Sequence, residues 1–185
     1  MTDTVRPTRI RLAARPATPA AVAPFGDLIG RAAEVPVQRL NHYAGTIRKP
    51  ARFVTDEDTE ISVATLDRRP LEVRWLERHF KHTQAFIPLG GRPFVLVMAP
   101  PGPGDMPDLD RVEAFLFDGS AGFCMKIGCW HEFPFPLVDG TDLIVILRGE
   151  THRELQAMTG GEALGADLDK KDIAARTGML LEVAL

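Results

Sequence analysis

Cysteine is scarce in this chain. There are two, Cys124 and Cys129, with no CxxC pair and no His/Cys cluster around them. That excludes a disulfide framework and a thiolate metal knot, and a reducing cytoplasm is the expected setting. No apolar run approaches the roughly 18 residues of a membrane span. The Arg- and Ala-rich start has no apolar core of a secretory signal, so no leader and no membrane partner are expected. Basic blocks are missing too. The net charge of −3 offers no footprint for nucleic acid. GxSxG, P-loop and GxGxxG patterns are all absent, which withdraws the nucleophile-elbow, phosphate-cradle and dinucleotide chemistries. No HxH occurs, so no strand presents two imidazoles on one face, and neither a metal nor another cofactor is expected.

What the chain does have is punctuation. Fifteen prolines and sixteen glycines are spread along 185 residues and cut them into short segments, the pattern of all-β sandwiches and barrels. Arg9–Ala14 reads as a strand. Thr18 caps a short helix with Pro19 in its first turn, ended by Pro24 to Gly26. Further strands are expected over Ile61–Leu66, over Ala85–Leu89, in RPFVLVMAP and in RVEAFLFD. The second and third of these are expected to form a hairpin about Gly90-Gly91. RPFVLVMAP is too apolar to be exposed on either face.

GFCMKIGCWHEF reads as one strand. Phe123, Met125, Ile127 and Cys129 share a face, and Cys124, Lys126, Gly128 and Trp130 take the other. DLIVILRG reads as a buried strand. The segment beyond Glu150 is expected to wrap the surface and end in a strand at Met179–Ala184. The sum is one domain, 1–185. It is all-β with minor α, an antiparallel β-barrel with one to three short helices that could enclose a small ligand.

Several polar residues sit against this apolar pattern. LERHFKHTQAFIPLGG runs Glu77, Arg78, His79, Lys81, His82 and Gln84 directly into a strand. The i, i+3 spacing of His79 and His82 favours paired solvent-facing histidines over metal ligands. On one continuous strand His82 and Gln84 share a face and His79 does not. His79 joins them only if the chain turns near Phe80–Lys81. Lys126 is either a surface lysine whose stem covers apolar groups or an anion-binding lysine in a pocket. In Trp130-His131-Glu132 a histidine adjoins a carboxylate, a weak acid–base pattern because strand neighbours point oppositely. Arg148 and Glu150 read as an exposed ion pair.

Taken together these segments resemble the ureidoglycolate lyase family. PATPAAVAPFGDLIG is similar to that family's opening. LERHFKHTQAFIPLGG is similar to its most specific signature, and GFCMKIGCWHEF with TDLIVILRG is similar to its Trp-His-His-Pro strand and the strand after it. The likeness runs from about Arg11 to Arg148. It implies a cupin-like barrel, a homodimer, and cleavage of ureidoglycolate, a small organic acid, into glyoxylate and urea without a cofactor. His79, Lys126 and His131 are then the candidate catalytic residues, with His131 or His79 as base. Arg78, Gln84, Trp130 and Glu132 are the candidate substrate-binding residues. Three positions depart from the family pattern: Lys126 and Glu132 replace histidines, and Gly128 replaces a polar residue. These departures leave open a relative acting on another 2-hydroxy or 2-oxo acid. A second alternative is a non-catalytic small-acid-binding or regulatory barrel on the same scaffold.

Overall fold

The computed structural model describes residues 7–185; the first six, where the expected absence of a leader begins, lie outside the described residues. The elements run β1 (Thr8–Pro16), α1 (Pro19–Val22), β2 (Gly26–Ile29), β3 (Gln38–Arg39), β4 (Thr46–Ile47), β5 (Thr59–Leu66), β6 (Glu72–Val73), β7 (Trp75–His79), β8 (Gln84–Pro88) and β9 (Phe94–Ala99). A 3₁₀ turn (Leu109–Arg111) leads to β10 (Glu113–Phe117), β11 (Gly122–Met125), β12 (Trp130–His131), β13 (Phe135–Pro136) and β14 (Thr141–Arg148). The chain closes with α2 (Gly149–Ala157), β15 (Ala163–Leu164), β16 (Leu168–Asp172), α3 (Ile173–Thr177) and β17 (Met179–Ala184). This is the predicted all-β class with three short helices. Among the described residues no helix is long and apolar enough to cross a membrane.

Two sheets form the barrel. The larger runs β15-β16-β7-β12-β9-β10-β1-β17-β6, with β13 beside β9; the smaller runs β2-β11-β8-β14-β5. Only Arg74 separates β6 from β7, yet β6 ends the larger sheet and β7 lies near its other end, so that sheet must curl back on itself. The ladders are antiparallel except around β1, which runs parallel to both β10 and β17. The chain gets from β1 to those strands by long connections, and parallel pairing requires such crossovers.

Packing explains the curl. β9 is buried along its whole length. Phe94, Leu96 and Met98 join Phe86, Phe115, Phe117, Phe123 and Leu143 in the core between the sheets. Val95, Val97 and Ala99 join Leu76, Trp130, Ile173 and Leu181 in a second core. A strand that is apolar on both faces has to be covered twice.

Thr18 caps α1 as predicted, its Oγ1 accepting from the Ala21 N–H at 3.2 Å. Four other expectations are corrected. β8 and β9 are not a hairpin: β8 pairs with β11 and β14, and β9 pairs with β10, β12 and β13. The Gly90-Gly91 turn, with φ of 74° and 68°, passes the chain from one sheet to the other.

GFCMKIGCWHEF is two strands rather than one. A turn at 126–129 breaks it, with Gly128 at φ 77°, a left-handed value that side chains resist. β14 buries one face only, alternating along its length. The segment after Glu150 is not a surface wrap. β16 pairs along β7, and Asp167, Leu168, Asp169, Lys171 and Asp172 are buried.

Candidate functional site

β7 sits between β16 and β12, and its register sets the site. Glu77 stands opposite Lys170 on one side and His131 on the other, and Leu168 stands opposite His79. Residues directly opposite share a face. Lys170, Glu77 and His131 therefore form one row across three strands, facing the space between the sheets. Arg78 points the other way. Its guanidinium is 3.0 Å from Asp169 and lies 4.3 Å over the Trp130 ring.

The chain turns straight after β7, at the place the parity argument required. The Phe80 and Lys81 N–H groups both donate to Asp167 Oδ1, at 2.9 and 2.7 Å, and this fixes the turn. It swings His82 inward, so the rings of His79 and His82 lie 4.7 Å apart and those of His79 and His131 lie 5.2 Å apart. All three imidazoles are buried, so the expectation of solvent-facing histidines is corrected. From the facing sheet, β8 supplies Gln84, whose amide lies beside the His79 ring, and Phe86 at 6.2 Å from the His131 ring.

Hydrogen bonds assign the ring protons. His82 Nδ1 is 2.8 Å from Asp167 Oδ2, and Asp167 accepts from the Thr151 hydroxyl as well. A carboxylate can only accept, so the Nδ1 of His82 carries a proton. His131 Nδ1 lies 3.3 Å from the Cys129 carbonyl, which leaves its Nε2 bare 3.7 Å from Glu77. Among the described residues, both nitrogens of His79, the Nε2 atoms of His82 and His131, and Gln84 Oε1 have no hydrogen-bond partner. So many unpaired buried polar atoms at one spot are costly unless something binds them.

Charge at the site is set by burial. Desolvation holds His79 well below the usual imidazole range, and the neighbouring His131 and His82 add to it. Burial likewise lowers His131, with Glu77 pulling the other way. Both are neutral near pH 7. Burial alone would raise Asp167, but hydrogen bonds from His82 and Thr151 outweigh it and keep the group ionised. Burial raises Glu132, opposed by Arg69.

Two overlapping donor sets have the reach of a metal site: Glu77, His79 and His131, and His79, His82 and Asp167. The oxygens of Asp167 already accept four hydrogen bonds, so the set with Glu77 is the freer one. Neutral imidazoles with bare nitrogens beside a carboxylate suit a divalent transition metal. The chemistry of these residues therefore fits a cation, contrary to the expectation drawn from the missing HxH. Three imidazoles meet here from two strands and a turn, a convergence that no single-strand spacing encodes.

Beside this cluster lies a cavity of about 150 Å³, lined by Trp75, Glu77, His131, Glu132, Phe133, Leu155 and Lys170. Of the predicted site residues, His131 and Glu132 line the cavity, and His79 and Gln84 sit in the cluster next to His131. Trp130 packs in the second core and Arg78 is committed to Asp169, so neither reaches the cavity. Lys126 lies in the exposed turn, where its ammonium donates to the Ala23 carbonyl at 2.6 Å. The surface reading of that lysine holds. Arg148 is buried rather than exposed, although it pairs with Glu150 and with Asp56 at 2.7 Å. Asp167 and Lys170 escaped the sequence reading. Their only signal was the charge density of DLDKKD in a segment read as surface.

A curled β-barrel with a buried histidine–carboxylate cluster beside a small cavity has the build of a small-molecule site. The chain belongs to the ureidoglycolate lyase family, whose model matches residues 9–165. The ureidoglycolate lyase of Azotobacter vinelandii (strain DJ / ATCC BAA-1303) is 36% identical over 146 residues, covering 74% of this chain and 84% of that protein. The ureidoglycolate lyase of Burkholderia mallei (strain NCTC 10229) is 35% identical over 168 residues, covering 83% and 91%. Among solved structures, RmlC from Streptococcus suis in complex with dTDP-D-xylose aligns with a TM-score of 0.35 at 13% identity, over 76% of this chain and 71% of that one.

Proposed function

We propose that this protein is a ureidoglycolate lyase, cleaving ureidoglycolate to glyoxylate and urea. The observation that carries the reading is the neutral pair His79 and His131 beside a cavity of small-acid size, in a chain of this family. The substrate bears a hydroxyl and a ureido nitrogen on one carbon, beside a carboxylate. Cleavage moves one proton from that hydroxyl to that nitrogen. The C–O bond becomes a carbonyl, and the C–N bond breaks with its electron pair going to nitrogen.

Glu132 is the proton carrier in this scheme. It lines the cavity, and its raised pKa brings it nearer the working pH, where a general base is most effective. It stands where the family pattern has a histidine, so a proton-accepting group is retained there. Arg69 holds Oε1 at 3.2 Å and positions the carboxylate. The carboxylate takes the hydroxyl proton and returns it to the departing nitrogen, which leaves as urea. His79, His131 and Glu77 would hold a divalent cation, which when bound supplies a Lewis acid for the substrate's oxygens. Phe133 gives the cavity an apolar wall.

Purified protein incubated with ureidoglycolate should release glyoxylate and urea in equal amounts, and Glu132→Gln should remove most of the rate. Release no faster than in buffer would end the assignment, and a fully active Glu132→Gln would end this role for Glu132.

We further propose a cytoplasmic homodimer. Two buried free cysteines suit a reducing compartment. The outer face of the smaller sheet carries Ile61 and Val63 at 71% and 60% exposure on its edge strand β5, an apolar surface suited to a second copy. Light scattering should give twice the chain mass, falling to one chain for Ile61→Lys/Val63→Lys; a monomeric parent would refute it.

A further inference from the structure

Glyoxylate and ureidoglycolate both carry a carboxylate, and the residues expected from the sequence to bind it do not face the cavity. Arg78 is spent on Asp169, and Lys126 on the Ala23 carbonyl. Arg69 does not line the cavity: it donates to Glu132 and to the Phe133 carbonyl and lies 3.7 Å over the Phe135 ring. Lys170 is different. It lines the cavity from β16, next to Glu77 and His131. Its ammonium has one carboxylate neighbour, Glu77 Oε2 at 3.2 Å. An ammonium has three donors, so others remain free to turn into the cavity. Its side chain is 26% exposed, which keeps it partly desolvated yet accessible. Each carboxylate on the cavity wall already has a cation, Glu77 with Lys170 and Glu132 with Arg69. An incoming anion therefore meets no uncompensated negative charge.

We propose that Lys170 is the residue that binds the substrate's carboxylate and makes the site select 2-hydroxy and 2-oxo acids over their uncharged counterparts. Lys170 lies beyond residue 165, outside the segment that the family model matches. The acid-selecting group is thus supplied by the C-terminal segment, while the proton carrier and the histidines come from the matched part of the chain. This inference rests on the lyase reading above for its substrate, but not for its site.

The test compares the parent protein with Lys170→Met and Lys170→Arg, using ureidoglycolate and its methyl ester. Lys170→Met should lower kcat/KM for the acid about 10- to 100-fold, the range of a charge-assisted hydrogen bond. The loss should sit mainly in KM, Lys170→Arg should recover part of it, and the ester should lose far less than the acid. Equal losses for acid and ester, or no loss for the acid, would overturn the proposal. Calorimetric binding of glyoxylate separates this failure from failure of the lyase reading. If the parent protein does not cleave ureidoglycolate, a tenfold or greater weakening of glyoxylate binding in Lys170→Met still upholds the role of Lys170. Unchanged binding, or no binding by the parent protein, overturns it. Circular dichroism spectra matching the parent qualify each variant; should Lys170→Met not fold, Lys170→Gln takes its place under the same criteria.

Discussion

Replacing Asp167 with alanine tests whether the segment after Glu150 builds the site or merely covers it. The side chain is wholly buried and accepts from His82 Nδ1, from the Phe80 and Lys81 N–H groups, and from the Thr151 hydroxyl. Phe80 N–H keeps a second acceptor, the Asp167 backbone carbonyl, and the Thr151 hydroxyl can rotate. His82 Nδ1 and the Lys81 N–H are left as orphaned donors. Each unsatisfied donor costs about 1–3 kcal/mol, so Asp167→Ala should destabilise the fold by about 4 kcal/mol. At about 2–4 °C per kcal/mol for a chain of this size, Tm should fall by about 8–16 °C. Asp167→Asn keeps one acceptor and the volume, and should lose about half as much. Differential scanning calorimetry of the three proteins at pH 7.5 is the assay. A Tm for Asp167→Ala within about 3 °C of the parent would refute the assignment of Asp167 as the clamp that turns His82 inward.

Acid should destabilise the chelator-treated protein earlier than carboxylate loss alone would. His79 and His131 have folded pKa values below the unfolded value, so the unfolded chain binds more protons below about pH 6.5 and stability falls as pH drops through that point. Between pH 7.5 and 5.5 the two histidines remove about 1.4–2.7 kcal/mol, measured by urea midpoints; equal stability at both values would contradict their burial as neutral rings. Adding Zn²⁺ or Mn²⁺ to that protein should raise Tm by about 5–11 °C at a hundredfold excess over Kd, and His79→Gln should abolish the shift. No shift at millimolar cation would remove the donor set from consideration. Gly119→Ala should cost at least about 3 kcal/mol, because φ there is +91° and the added Cβ would lie 2.2 Å from the Gly91 carbonyl oxygen, a backbone atom that cannot move aside. A thermal melt within about 2 °C of the parent would show that the turn relaxes.

The sequence by itself determined the elements whose causes are local. Thr18 and Pro19 start α1 because a cap and a fixed φ act within one turn of chain. The doubly apolar run of β9 announces burial on both faces, and the short, glycine-punctuated segments announce an all-β class. The sequence also carried the family, and with it His79, Gln84, His131 and Glu132. Pairing partners were beyond its reach. Whether β8 joins β9 or crosses to the facing sheet depends on which apolar faces are already covered, a property of the whole molecule. The break at Gly128 turned Lys126 outward, and the turn held by Asp167 brought His82 inward. Neither follows from alternation, since one reversal of the chain resets the parity of everything after it. Lys170 belongs to the cavity only because β16 pairs along β7, about ninety residues away in sequence, and contacts that distant are decided by tertiary packing rather than by local pattern.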